Sequence, residues 1–394
     1  MKKLRYPTCA MLMLAALLLT ACGGGGGGSD PVTTPPTTAA PPQTTAPPVI
    51  PEATRDSSYD DLSYIEGEFA QGKTLYEADE YSLEKMYNHT FNEASVFKGG
   101  EALQAEILEA GKNPGLGVRS LHAQGITGAG VNVAIIDTNL LLSHPEFAGE
   151  IAAYYDSGCE KPSDEGSMHA PAVTGILAGE TVGVAPGAAV YFAAAPAWKR
   201  DAAYAADCLH WIIAENEKLP DGEKIRVVSL SAAPSGPNSE YINQHLWDEA
   251  VEAARRAGIV VLDCRENTET GFVMPAYYNR TDPEAPTKCY GGFPDGVFAF
   301  GADYIGAPAS YRTVAEEYIE GAPAYRYFGI GGLSWAVPYA AGVLALGWQV
   351  NPDLDGDQMV ALLFQTAARG KNGCQIVAPA AFIAAVEETV KYAD

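Results

Sequence analysis

The chain reads as an α/β protein, a three-layer α/β/α sandwich with a mostly parallel central sheet. Three observations carry this reading. From about Gly115 to the C-terminus, short apolar runs of strand length alternate with runs of helical spacing. Strands alternating with helices in this way imply a parallel sheet covered by helices on both faces. With 394 residues and 47% apolar content, the chain is long enough to bury a sizeable core.

The N-terminal elements come first. Lys2, Lys3 and Arg5 precede an apolar run from Met11 to Leu19, followed by "LTAC" ending at Cys22. A basic start, a short apolar run and small residues at a cleavage point mark residues 1–21 as a secretory signal. The run is too short to cross a bilayer. "LTAC" resembles the bacterial lipobox, which implies lipidation of Cys22 and a lipid-anchored, extracytoplasmic protein at a bacterial cell surface. The alternative is an ordinary signal peptide followed by an incidental Cys. Residues 22–54 are rich in Gly, Thr and Pro and nearly free of large apolar side chains. They read as a solvated, disordered linker that reaches on the order of 90 Å at most.

Residues 55–112 are acidic and Tyr-rich, with helical spacing in "YSLEKMYNHTFNEASVF" and "GGEALQAEILEAGK". They are expected to be a helical pro-segment, a brace for the main domain, or partly disordered. The main domain is taken as residues 113–394.

Within it the elements follow in order. "VNVAIIDT" is a strand, "HAPAVTGILAG" a helix, "AAVYFAAA" a strand and "AYAADCLHWIIAENE" an amphipathic helix. "IRVVSLSAA" is a strand, "SEYINQHLWDEAVEAARRAG" a long helix, and "IVVLDC" and "GVFAFGA" are strands. "WAVPYAAGVLALGWQV" and "DGDQMVALLFQTA" close the domain as helices.

Charge and cysteines exclude several function classes. The net charge of −24 falls to −27 once the signal takes Lys2, Lys3 and Arg5 with it. So acidic a surface argues against nucleic acid and against flat binding to anionic lipid. Beyond Cys22 stand Cys159, Cys208, Cys264, Cys289 and Cys374. That odd count gives no complete disulfide framework. Without a C-x-x-C pair, a zinc or iron–sulfur site is not expected, nor is any cofactor.

Three polar residues stand where such a sheet gathers its site, at the carboxyl ends of strands. Asp137 ends "VNVAIID". His169 opens a helix, and Ser334 opens another in "GGLSWAVPYAAG". Each has a plain alternative: a loop-capping acid, an idle histidine at a helix start, and a serine N-cap ahead of a small-residue packing face. The chain order Asp, His, Ser is one of the known triad orders, and the G-x-S-x-G elbow is absent.

On these residues the domain resembles the subtilisin-like serine peptidases. "GITGAGVNVAIIDTNLLLSHPEF" is similar to the family's Asp motif, and "SMHAPAVTGILAG" to its His motif. "GVAPGAAVYFAA" is similar to the segment that follows, and "GGLSWAVPYAAGVLAL" to the Ser motif. "GIVVLDCREN" resembles the strand ending in the oxyanion-hole Asn, here Asn267. The resemblance implies a subtilisin-like sandwich and a catalytic Asp137, His169 and Ser334, with Asn267 and the Ser334 N–H as oxyanion donors. It implies a structural role for His144. It also implies substrate pairing along "GVAPG" and "SLSAAPSG", with Ser231, Ala232 and Ala233 bordering the pocket.

The expected function is that of a surface-anchored serine endopeptidase, working without a cofactor as a monomer on peptides or proteins. The alternative is a catalytically impaired lipoprotein that binds peptides without turnover. That alternative rests on departures from the family pattern. Ala170, Pro171 and Ala172 stand for Gly-Thr-His, Leu333 and Trp335 flank the serine, Tyr339 replaces a His, and Asn139 replaces a small residue. Leu333 and Trp335 are expected to reshape the leaving-group side. The family's calcium sites are not recognisable.

Overall fold

The computed structural model describes residues 64–65, 68–69, 74–76, 86–92, 95–97, 99–159, 168–319 and 322–391. The expectations for the signal, the linker and Cys22 lie outside them, as does most of the stretch from 55 to 85. All described residues belong to one compact unit, Pro47–Asp394.

Short strands come first: β1 (Tyr64–Ile65), β2 (Glu68–Phe69), β3 (Thr74–Tyr76), β4 (Phe91–Asn92) and β5 (Ser95–Phe97). Helix α1 (Glu101–Ala110) follows, in the second stretch where helical spacing predicts one. In the first stretch the spacing fails, since Phe91–Asn92 and Ser95–Phe97 form β4 and β5. Phe91 is drawn into strand pairing with a later hairpin, Tyr327 opposite Phe91. That tertiary pairing overrides a weak local preference for helix.

After the single turn α2 (Val118–His122) the sandwich begins. Its strands are β6 (Asn132–Asp137), β7 (Ile151–Asp156), β8 (Ala189–Ala194), β9 (Ile225–Leu230) and β10 (Val260–Leu262). The helices between them are α3 (His169–Ala178), α4 (Ala202–Lys218) and α5 (Gln244–Arg256). The strands lie in the order β10-β9-β6-β8-β7, every neighbour pair parallel. Strand β7 went unread in the sequence because its "IAAYYD" is only half-buried at the sheet edge.

The layers follow from the period-two alternation of a strand. Along β6, Val133 and Ile135 pack into the core shared with α3. Ala134 and Ile136 point the other way, into the core shared with α4 and α5. Helix α5 starts later than the sequence suggests. Residues 239–243 instead form a loop whose Ile242 exchanges backbone bonds with Arg200 and Ala202.

A second, mixed sheet follows: β11 (Val273–Tyr277), β12 (Tyr290–Phe293), β13 (Gly296–Val297) and β14 (Ile305–Ser310). The long hairpin β15 (Arg312–Ile319) and β16 (Ala322–Phe328) comes next, then α6 (Leu333–Val350) and α7 (Gly356–Gln365). Strands β17 (Ala368–Arg369) and β18 (Gln375–Ile376) and helix α8 (Pro379–Lys391) end the fold. The strand expected over "GVFAFGA" shrinks to β13, because Phe298 leaves the ladder to pack on Phe293 and on Phe300. Helix α6 is buried almost all round, packing with α3 on the first core. "GVAPG" is not an exposed strand edge. Its Val184 and Ala185 donate backbone bonds to Ile176 and Leu177 at the end of α3, so it forms a buried turn.

Candidate active site

Strand β6 delivers Asp137 at its carboxyl end, 7% exposed. Thr138 donates its N–H and its hydroxyl to Asp137 Oδ1, at 2.8 and 3.1 Å. These bonds fix the carboxylate plane. His169 is the first residue of α3, and its Nδ1 lies 3.0 and 2.9 Å from Asp137 Oδ1 and Oδ2. A ring nitrogen held by a carboxylate selects the tautomer that leaves Nε2 as the free base. Burial works against the imidazolium, but the Asp137 charge and hydrogen bond outweigh it, so the His169 pKa lies above its ordinary value.

Ser334 is the second residue of α6. The N-cap is Gly332, so the serine hydroxyl is not the cap. It donates instead to the Ser231 carbonyl at 3.4 Å, while the Ser231 hydroxyl donates to the Ser334 carbonyl at 2.8 Å. Pro338 explains the second bond. A proline lacks the N–H that a residue at this place in the helix gives to the carbonyl four positions back. Here that carbonyl is Ser334's, and Ser231 at the end of β9 takes it up. The reciprocal pair ties the turn that carries Ser334 to the same sheet end that carries Asp137.

Among the described residues no hydrogen bond joins the His169 ring to the Ser334 hydroxyl. The two elements meet through Trp335, whose ring centroid lies 5.1 Å from that of His169. Trp335 is 3% exposed and packs edge-on against Phe328. It therefore turns into the core behind the imidazole. Leu333 is half-buried and remains beside Ser334 at the surface.

Asn267 sits in the loop after β10. Its Oδ1 accepts the N–H groups of Glu269, Thr270 and Gly271, and its Nδ2 donates to Thr270 Oγ1 at 3.3 Å. One N–H of the carboxamide is thus left over. The loop is pinned by buried Asp263, which receives Arg265 Nε at 2.6 Å, Trp247 Nε1 at 3.1 Å and Thr270 Oγ1 at 2.8 Å. Among the described residues no hydrogen bond joins Asn267 to Ser334.

Ser231, Ala232 and Ala233 do continue from β9 beside the serine, each half-buried. Their carbonyls already accept bonds from Ser334 Oγ, Cys264 N and Ser239 Oγ. His144 is fully buried, bonded to the Ala324 carbonyl at 3.1 Å and stacked on Phe147. Burial pushes the Cys264 thiol far up, so it offers no competing thiolate near Asp137. Among the described residues no group of three or more His, Cys, Asp or Glu side chains is gathered for a metal ion.

Sequence reasoning missed Ser310, whose hydroxyl accepts the Gly331 N–H at 3.1 Å. Nothing in its local pattern marks it. The part played by Ser231 was legible in principle from Pro338, four residues after Ser334.

A parallel α/β sandwich thus brings an aspartate–histidine pair and a serine to one sheet end. The Subtilase family profile matches residues 128–314, a span that holds Asp137, His169 and Asn267 and stops short of Ser334. M-protease of Shouchella clausii is 25% identical over 253 residues, covering 62% of this chain and 61% of its own. Serine protease AprX of Bacillus subtilis is 27% identical over 291 residues, covering 61% and 62%. Subtilisin Savinase of Lederbergia lenta is 25% identical over 253 residues, covering 62% and 86%. The chain thus spans about three fifths of the length of M-protease and AprX. Among solved structures, a protease of Pseudoalteromonas arctica is similar in fold, with TM-score 0.52 and 19% identity over 71% of this chain and 97% of that one. Over residues 128–314 the chain is thus similar in sequence to the Subtilase family, and its fold is similar to that of a solved protease.

Proposed function

We propose that this chain is a serine endopeptidase that works through an acyl-enzyme on Ser334. The observation that carries the reading is the two-oxygen grip of Asp137 on His169 Nδ1, at 2.9 and 3.0 Å, at the carboxyl end of the parallel sheet. In the first step Ser334 Oγ turns from the Ser231 carbonyl to His169 Nε2. The serine proton passes to Nε2 as the Oγ–carbon bond forms on the scissile carbonyl. The leaving amine then takes that proton as the carbon–nitrogen bond breaks, and water repeats the cycle to free the acid. Asp137 holds the tautomer and stabilises the imidazolium. The free Nδ2 proton of Asn267 and the Ser334 N–H are the proposed oxyanion donors.

The substrate is a peptide or protein that passes Ser231, Ala232 and Ala233. The protein is extracytoplasmic, held at the membrane by lipid on Cys22, and acts as a monomer on no nucleic acid. Among the described residues no helix is long and apolar enough to span a bilayer.

A second reading, peptide binding without turnover, is favoured by the missing hydrogen bond between His169 and Ser334. Such bonds are often long or misaligned without substrate and tighten only when it binds. A fluorophosphonate probe separates the two. Catalysis predicts an adduct mapped to Ser334 that disappears in His169→Ala. A folded wild-type protein that takes no adduct supports the binding reading.

A further inference from the structure

We infer that residues 86–111 are a retained brace of the mature protein, built into its core, and that they position the loop carrying Ser334. The positioning half rests on the reading of Ser334 as nucleophile.

The brace is joined to the β15–β16 hairpin by backbone and by core. β4 lies antiparallel to β16, pairing Asn92 with Arg326 and Phe91 with Tyr327. Met86, Phe91, Phe97 and Ile107 form one buried cluster with Tyr327. The Tyr327 hydroxyl donates to the Tyr87 carbonyl at 2.9 Å. Thr313 donates its N–H to the Gly111 carbonyl and its hydroxyl to the Leu108 carbonyl, both at 2.8 Å. A Cβ on Gly111 would stand 2.5 Å from Thr313 Oγ1, so the two backbones meet with nothing between them. Losing this segment would open the β16 edge and uncover Tyr327. A segment destined for removal has to leave a finished surface behind, and this one would leave bare aromatic core and an unpaired strand.

Two tethers run from the brace to the loop before Ser334. In the first, the Gly329 N–H donates to the His89 carbonyl at 3.2 Å. No side chain fits there, because a Cβ on Gly329 would stand 2.2 Å from the Asn88 carbonyl oxygen. The second passes through Tyr311, which has φ +61° between β14 and β15. A bulky residue holds that left-handed conformation only when its surroundings over-determine it. Tyr87 supplies one wall, edge-on at 6.5 Å, and Tyr277 another at 5.9 Å. Arg280 lies 5.4 Å from the Tyr87 and Tyr311 rings alike. The corner so held fixes Ser310, whose hydroxyl takes the Gly331 N–H at 3.1 Å. Gly331 leads directly to the N-cap Gly332 and to Ser334. Tyr87, Tyr311 and Ser310 are positioning residues in this scheme.

The test starts from the full chain, expressed and exported. Intact mass of the mature protein reads retention directly. The expected N-terminus lies upstream of Met86, and a mature chain that begins at or after Lys112 overturns the proposal. Positioning is read from Tyr87→Ala against Tyr87→Phe, which keeps the ring. A nucleophile displaced by a fraction of an ångström reacts more slowly, so Tyr87→Ala is expected to take the fluorophosphonate about tenfold more slowly. Its KM for a peptide ester should not change, and Tyr87→Phe should behave as wild type. A folded Tyr87→Ala that labels at the wild-type rate overturns the positioning role. Should Tyr87→Ala not fold, Ser310→Ala removes one tether atom and carries the same expectation and the same refutation. Wild-type protein that never labels sinks the peptidase reading instead. Retention is still decided by mass in that case, and the tethers by amide exchange at Gly329 and Gly331 in Tyr87→Ala. Faster exchange than in wild type upholds them, and unchanged exchange overturns them.

Discussion

Replacing Asp137 by Asn keeps the shape of the side chain and removes its charge. The carboxylate faces His169 Nδ1 at 2.9 Å and is nearly buried, whereas the ring is 31% exposed. At that separation the gross attraction between carboxylate and imidazolium is on the order of 5 kcal/mol at an effective dielectric of about 20. Burial of the ring gives part of this back. The amide also presents a donor to Nδ1, which favours the wrong tautomer. A loss of kcat/KM of about 10³- to 10⁴-fold is therefore expected, or about 4–5.5 kcal/mol of transition-state stabilisation.

The pH dependence gives a second handle on the same variant. In wild type the acid limb of kcat/KM should lie above the ordinary histidine value of about 6.5, since the aspartate outweighs burial. In Asp137→Asn only burial remains, and the limb should fall below that value. Stability moves with it. A raised imidazole pKa contributes in full below about pH 6.5 and fades as pH rises through the folded-state value. The melting-temperature gap between wild type and variant should therefore narrow from about pH 6 toward pH 9. The assay is hydrolysis of a peptide ester across this range, with thermal melts on the same samples. A variant that keeps activity within about threefold, with an unmoved acid limb, refutes the assigned roles.

Three further outcomes are expected. Ser231→Ala removes the donor to a carbonyl that Pro338 leaves without a helical partner, and should cost about 1–3 kcal/mol in urea unfolding. Pro338→Ala supplies a helical N–H and should recover part of that loss in the double variant, and strictly additive effects would contradict the pairing. In Gly331→Ala the new Cβ would stand 1.9 Å from the Ala309 oxygen and 2.2 Å from Trp335 Cδ1. Labelling of Ser334 should then slow on the order of 10²-fold, and an unchanged rate would remove the loop from the account. Trp335→Ala empties the space between His169 and Phe328 and should destabilise by about 3–5 kcal/mol in urea titration, where a loss below about 1 kcal/mol would contradict its core role.

Much of the fold was legible because its signal is local. "VNVAIID", "AAVYFAA" and "IRVVSL" are continuous apolar runs, and each is a strand of the parallel sheet. The hairpin β15–β16 was not legible. Its "RTVAEEYI" and "APAYRYF" carry charges, yet Arg326 and Glu316 are buried together at 3.1 Å. Only the partner across the hairpin makes those charges tolerable, and that partner is not visible in either segment alone. Strand β4 was missed for a similar reason, as its partner β16 lies more than two hundred residues away. At the site, Asp137 and His169 were readable from their place at element ends, and the structure joins them. The environments of Asn267 and Trp335 were not readable. Asn267 is folded into its own loop, and Trp335 is turned inward onto His169 and Phe328, which other segments supply. Ser231 was read as a pocket border, and the structure adds that its hydroxyl donates to the Ser334 carbonyl.

The central claim is that Ser334 is acylated by substrate and then released. Its most direct test is rapid-quench mass spectrometry of the protein mixed with an activated peptide ester. The account predicts an acyl group on the peptide containing Ser334 that builds within one turnover and then decays by hydrolysis, and that never forms in Ser334→Ala. Peptide-bond cleavage undiminished in Ser334→Ala, or a folded wild-type protein that never carries the acyl group, would contradict it.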